Sequence, residues 1–177
     1  MYKIDKLIKT GENLFHTSDL ALLWQITNKN TLYTTIKRYT NKGILIPVQK
    51  GLYSTIPLTQ IDPLRLGAVV LHTYSYVSCE YVLYLSGIIS QAVYAYTFVS
   101  TVSKKFTAGS YQYISRQLRN EYLFRNNGIT QVNKVSIATP ERAMADMLYF
   151  DPKFYFDTKA DIDPKLVKRI QEEVYGK

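Results

Sequence analysis

Between Asp19 and Asp62 the chain has no aspartate and no glutamate, yet the interval holds Lys29, Lys37, Arg38, Lys42 and Lys50. A surface of this kind suits a polyanion, because each phosphate it neutralises releases condensed counterions. A single cysteine, Cys79, excludes an intramolecular disulfide and argues for a reducing compartment. The two histidines, His16 and His72, lack the helical pairing or carboxylate spacing of metal ligands. There is no Gly-x-x-x-x-Gly-Lys-Ser/Thr loop and no nucleophile elbow motif. After Gly109-Ser110 no acid occurs before Glu121, so the carboxylate cluster that a nucleotidyltransferase needs for magnesium is missing. The charged amino terminus lacks the apolar core of a signal peptide. The longest apolar run, Leu66 to Leu71, is far short of the roughly 20 residues that span a bilayer. These absences predict a cytoplasmic binding protein without metal or cofactor, neither an enzyme nor a membrane protein.

What is present agrees with a soluble folded chain. Its 177 residues are 46% apolar and 20% charged, enough to bury a core in one domain or two small ones. The net charge of +8 is uneven: residues 1–56 carry eight bases against three acids. A second acid-free run, Tyr81 to Asn120, contains Lys104, Lys105, Arg116 and Arg119. Basic excess by itself is often only a solvated face. The sixteen tyrosines suit half-buried strands and interfaces.

Ile4, Leu7 and Ile8 predict an opening helix that ends near Gly11. Thr17-Ser18-Asp19 offers a cap and a first-turn acid for a second helix bearing Leu20, Leu23 and Trp24. Asn28-Lys29-Asn30 breaks it and begins a third, in which Leu32, Ile36 and Tyr39 form a buried stripe, with Gly43 just past its end. The opposite side of the third helix carries Asn30, Tyr33, Thr34 and Lys37, flanked by Thr31 and Arg38. These are hydrogen-bonding and cationic groups of major-groove size. Leu45 to Val48 and Leu52 to Ser54 flank Gln49-Lys50-Gly51 as a short hairpin with Lys50 at its tip.

Asp62-Pro63 marks a boundary, with Pro63 suited to start a helix reaching His72. Ser78 reads as the cap of the next helix, with Cys79 a small buried residue. The β-branched and aromatic stretches Tyr94 to Val102, Tyr111 to Ile114 and Val132 to Ile137 predict strands of a small antiparallel sheet. Thr139-Pro140-Glu141-Arg142 starts a further helix, along which Arg142 and Asp146 are i, i+4 neighbours that pair with each other. A charged helix from Pro164 to Tyr175 follows. The predicted fold is α+β: a winged helix-turn-helix over residues 1–58, then a mixed helix–antiparallel sheet domain over residues 59–177.

One ordered set of segments runs through residues 14–149: Ser18-Asp19-Leu20-Ala21, Ile36-Lys37-Arg38, Gly43-Ile44-Leu45, Lys50-Gly51-Leu52-Tyr53, Tyr76-Val77-Ser78, Gly87-Ile88 and Ala138-Thr139-Pro140-Glu141-Arg142-Ala143-x-x-Asp146. In order and spacing this set resembles the AbiEi-type antitoxins of bacterial type IV toxin–antitoxin (abortive infection) systems. The resemblance implies a winged helix that binds repeats in its own promoter, a C-terminal domain with antitoxin activity, and a nucleotidyltransferase-like toxin as partner. By position, the DNA-contacting residues would be Lys29, Asn30, Thr31, Tyr33, Thr34, Lys37, Arg38 and Lys42 on the third helix and Lys50 on the wing. Two copies would pair cooperatively on inverted repeats of double-stranded DNA. Lys104, Lys105, Arg116 and Arg119 are candidates for a second basic surface facing DNA or a toxin. Two alternatives stay open: the tyrosine-rich second half is a protein-interaction module for a toxin or other partner with the winged helix only a scaffold, or the chain is a stand-alone transcriptional regulator.

Overall fold

The computed structural model describes residues 2–158 and 162–176. The chain forms two compact units, Met1–Asp62 and Pro63–Lys177. Each is built differently.

The first unit runs α1 (Lys3–Lys9), β1 (Leu14–His16), α2 (Thr17–Trp24), α3 (Lys29–Asn41), β2 (Ile46–Gln49) and β3 (Leu52–Ser54), with a 3₁₀ turn at Leu58–Gln60. Its three strands lie in the order β1-β3-β2, both pairings antiparallel. The helices and strands close over one core of Leu7, Phe15, Leu20, Trp24, Leu32, Ile36 and Leu45. The Trp24 indole N–H donates to the Lys3 carbonyl at 3.2 Å, which ties α1 to α2. Strand β1, only Leu-Phe-His, is too short to show a period-2 pattern and was not anticipated from sequence. The cap of α2 also differs from expectation. The helix begins one turn position earlier, with His16 as N-cap and its N–H donating to Asp19 Oδ2 at 2.7 Å. Thr17, expected among the cap residues, turns its hydroxyl instead to the Gly51 carbonyl.

The second unit carries α4 (Pro63–Leu71), β4 (Ser75–Val77), α5 (Glu80–Leu85), β5 (Ala95–Ser100), β6 (Lys104–Ala108), β7 (Tyr111–Gln117), α6 (Asn120–Leu123), β8 (Ile129–Val132), β9 (Val135–Ala138), α7 (Pro140–Phe150) and α8 (Pro164–Ile170), with a π turn at Gln171–Tyr175. Its six strands are ordered β6-β7-β5-β4-β9-β8. The expected antiparallel sheet is corrected to a mixed one, because β5 runs parallel to β7 and β4 parallel to β9. The cause is β6, whose Lys-Lys-Phe-Thr-Ala lacks a β-branched run and was not read as a strand. It folds outside β7, so β7 returns alongside β5 in the same direction. Val132 to Ile137 is likewise not one strand. Asn133 and Lys134 both take positive φ, a two-residue hairpin turn that separates β8 from β9. Helix α4 lies close against the sheet at Gly67, where an added Cβ would meet the Tyr113 ring at 2.5 Å.

The centre of this unit is a polar network. Arg142 and Asp146 have 0% exposure, and Arg142 Nε donates to Asp146 Oδ1 at 2.7 Å, the pairing expected from their spacing. Ser78 donates to Asp146 Oδ2 at 2.7 Å, and the Tyr175 hydroxyl donates to Oδ1. Arg142 spends three of its four remaining donors on the Arg125 and Asn127 carbonyls and on the Tyr76 hydroxyl, each at 2.9 Å. Ser78 is therefore not the helix cap. That position falls to Cys79, at φ 57° and ψ −137°, and the serine hydroxyl is drawn inward by the carboxylate. A buried ion pair is tolerated when further hydrogen bonds serve its atoms, and here each guanidinium nitrogen and each carboxylate oxygen has a partner.

Two outcomes follow. Asp146→Ala strands a buried guanidinium and should cost about 3–5 kcal/mol in urea unfolding, far more than an ordinary surface change. Burial, with the Asp146 charge second, pushes the Tyr76 and Tyr175 hydroxyls well above their ordinary 10.0. Above pH 10 the unfolded chain loses these protons while the folded one keeps them, so stability is intact below that pH and falls as pH rises. The slope is about 1.4 kcal/mol per pH unit per tyrosine. Unfolding measured between pH 9 and 11 should show a shallower loss in Tyr175→Phe than in the parent.

Candidate nucleic-acid interface

Helix α3 is the longest in the first unit, at 13 residues, and its boundaries are chemically defined. The Asn28 side chain caps it by accepting the Thr31 N–H at 3.0 Å. At the far end Lys42 is the C-cap, and Gly43 takes φ +69°, a conformation that costs other residues about 1–2 kcal/mol. Leu32 and Ile36 are buried at 6% and 3% exposure, and Tyr39 stacks in a tilted arrangement on Trp24 with ring centroids 5.2 Å apart. That stripe fixes the helix rotation.

The opposite side is open to solvent. Lys29, Asn30, Thr31, Tyr33, Thr34, Lys37, Arg38, Asn41 and Lys42 are all exposed, Tyr33 at 56%. No acidic residue lies anywhere on the helix. Arg38 sits with its guanidinium carbon 5.8 Å from the Tyr39 ring centroid, which steers its stem along the helix while the charge stays outward. Asn41 was not singled out from sequence, although it follows Lys37 by four residues and Thr34 by seven and so shares their side.

The β2–β3 hairpin closes on Lys50 and Gly51, since Gln49 pairs with Leu52. Val48 is an extra residue between paired Pro47 and Gln49, a bulge that bends the short strand. Gly51 takes φ +80°. Its carbonyl accepts the Thr17 N–H at 2.9 Å and the Thr17 hydroxyl at 3.3 Å, fastening the hairpin tip to the start of α2. Lys50 remains exposed beside it.

The four candidate cations of the second unit do not all share one surface. Lys104 pairs in register with Ser115 and Lys105 with Ile114, so alternation puts Lys104 on one face of the sheet and Lys105 with Arg116 on the other. Lys104 lies over the Phe106 ring, 4.7 Å from its centroid. Arg116 forms an ion pair with Glu80 and lies over Phe150, while Arg119 is 3.6 Å from Glu121. Charge at these four positions is therefore divided between faces, with Arg116 and Arg119 beside acids.

Cys79 sits at a strand-to-helix elbow with strained backbone, yet its thiol is wholly buried. Desolvation, with the Asp146 charge second, pushes that thiol well above its ordinary 9.0, so it is held neutral and shielded. Among the described residues no group of three or more His, Cys, Asp or Glu side chains converges, and no helix is long and apolar enough to cross a membrane. Comparison with protein-family models and with curated proteins finds no match.

Gly51→Ala should lower stability by about 1–2 kcal/mol in urea unfolding, because a Cβ is strained at that φ even where space allows it. The neighbouring Lys50→Ala should leave stability within about 0.5 kcal/mol of the parent.

Proposed function

We propose that this protein is a DNA-binding antitoxin that represses its own operon in a type IV toxin–antitoxin system. In this reading residues 1–58 are a winged helix-turn-helix: α2 and α3 form the helix-turn-helix, β2 and β3 the wing, and α3 enters the major groove. The protein works in the cytoplasm, without cofactor or catalysis. Its partners are promoter repeats, on which two copies pair, and a nucleotidyltransferase-like toxin.

The observation that carries the DNA reading is the outward side of α3: seven polar or cationic side chains between Lys29 and Arg38, all exposed, with no carboxylate among them. The element order α1-β1-α2-α3-β2-β3 with strands ordered β1-β3-β2 supports the winged arrangement. Asn30, Thr34 and Lys37 recur at i, i+4, i+7 and so reach a groove floor together, while Arg38, Lys42 and Lys50 suit flanking phosphates. The antitoxin part of the reading rests on the resemblance set out above.

The test is a promoter-binding titration over a range of salt. Lys37→Ala combined with Arg38→Ala should weaken binding at least about tenfold and reduce the log–log salt slope by about two, one per lost phosphate contact. Unchanged affinity and slope would reject this surface. Co-purification with a nucleotidyltransferase-like protein encoded beside the gene tests the toxin partnership separately. Capture of that protein without any promoter binding would favour an interaction module instead.

A further inference from the structure

Asn30, Thr31, Thr34, Thr35 and Arg38 line a shallow recess on α3. Three of the five are threonines, and two of those have spent their hydroxyls on the helix itself. Thr35 Oγ1 donates to the Thr31 carbonyl at 2.8 Å, one turn back. Thr31 Oγ1 donates to the capping Asn28 Oδ1 at 3.3 Å, while the Thr31 N–H donates to the same oxygen. With those protons committed, neither hydroxyl is free to donate to a ligand, and the threonine methyl carbons are left as the packing surface. The recess is thus a mostly carbon-walled cup on an otherwise polar, acid-free helix, with an amide at one edge and a guanidinium at the other.

We infer that this cup receives the C5-methyl group of a thymine in the major groove. The inference rests on the DNA-binding reading above and deepens it by naming one base the helix selects. The C5-methyl of thymine is the one methyl group that the four ordinary bases present in that groove, and apolar contact with threonine methyls is one of its recognised partners. Asn30 and Arg38 frame the cup with the groups that hydrogen-bond adenine edges or neighbouring phosphates, so the methyl is centred between two polar anchors. The absence of acid on α3 lets this approach proceed without repulsion from the flanking backbone. A 5-methylcytosine carries the same methyl; thymine is the committed occupant because Asn30 beside the cup suits the adenine that pairs with it.

The probe is a duplex enriched by the full-length protein from a randomised pool, in which each thymine is replaced singly by uracil. Uracil lacks only the methyl. At one position per half-site the replacement should weaken binding roughly fourfold, the worth of one buried carbon group. Thr31→Ser combined with Thr34→Ser, which trims the methyl walls and keeps the hydroxyls, should bind the uracil and thymine duplexes alike. Thr31→Val, which keeps the wall, should still discriminate. Enrichment of a duplex whose thymines all tolerate uracil would overturn the cup while leaving DNA binding intact; failure to enrich any duplex would overturn both. If a 5-methylcytosine–guanine pair at that position binds more tightly than thymine–adenine, thymine is not the occupant.

Discussion

Burial of Leu32 and Ile36 against Leu20, Trp24 and Leu45 constrains α3 in rotation, and the rest of the first unit depends on it. A slip of one residue would turn the helix by about 100° and drive Arg38 or Lys37 toward that core, where an unpaired cation is costly. The helix therefore has one stable orientation. Its cap and its terminal glycine hold the length, and its buried stripe holds the angle. Exposure of the polar side is a by-product of packing, which is why no dedicated interaction is needed to present it.

The second unit is organised by a different force. Its sheet is apolar on the inside, but the joint between β4, α7, the loop around Asn127 and the π turn is ionic. Arg142 reaches two backbone carbonyls and one hydroxyl besides its carboxylate partner. With the Ser78–Asp146 bond, these contacts link residues separated by as many as 68 positions in sequence. A hydrophobic substitute of equal volume could fill the space, but it would leave the Arg125 and Asn127 carbonyls and the Tyr76 hydroxyl without these bonds. Tyrosine is used here in the same spirit, as bulk with a hydroxyl that finds a carboxylate or a guanidinium.

How much of this could be read beforehand follows from how local each signal is. The third helix, its glycine stop, the Gly51 turn, the Thr139-Pro140 start and the Arg142–Asp146 spacing are all set by residues within one or two turns of each other. Each is found where the residues point. Strand β6 was missed because Lys104 and Lys105 look like loop on a composition basis, and a three-residue strand such as β1 has no room for a pattern. Parallel pairing of β5 with β7 is decided by where an intervening strand goes, which no short window contains. Ser78 was misassigned for a similar reason: its partner Asp146 is 68 residues away, and a hydroxyl next to a helix start reads as a cap until that carboxylate is seen. On α3, the side facing solvent was readable, but the threonine-lined recess was not, because it depends on which way the Thr31 and Thr35 hydroxyls turn.

The double attachment of the Gly51 carbonyl to Thr17 leaves the hairpin tip little freedom to swing. Any adjustment to an uneven or bent binding surface must then come from the four-carbon stem of Lys50 and not from the main chain. Reach is bounded by a few ångströms of side chain, and the cost of ordering is confined to one flexible group. In the proposed DNA-binding role, a tip leashed in this way would favour targets of nearly uniform curvature and gain little from those that would require the hairpin to fold around them.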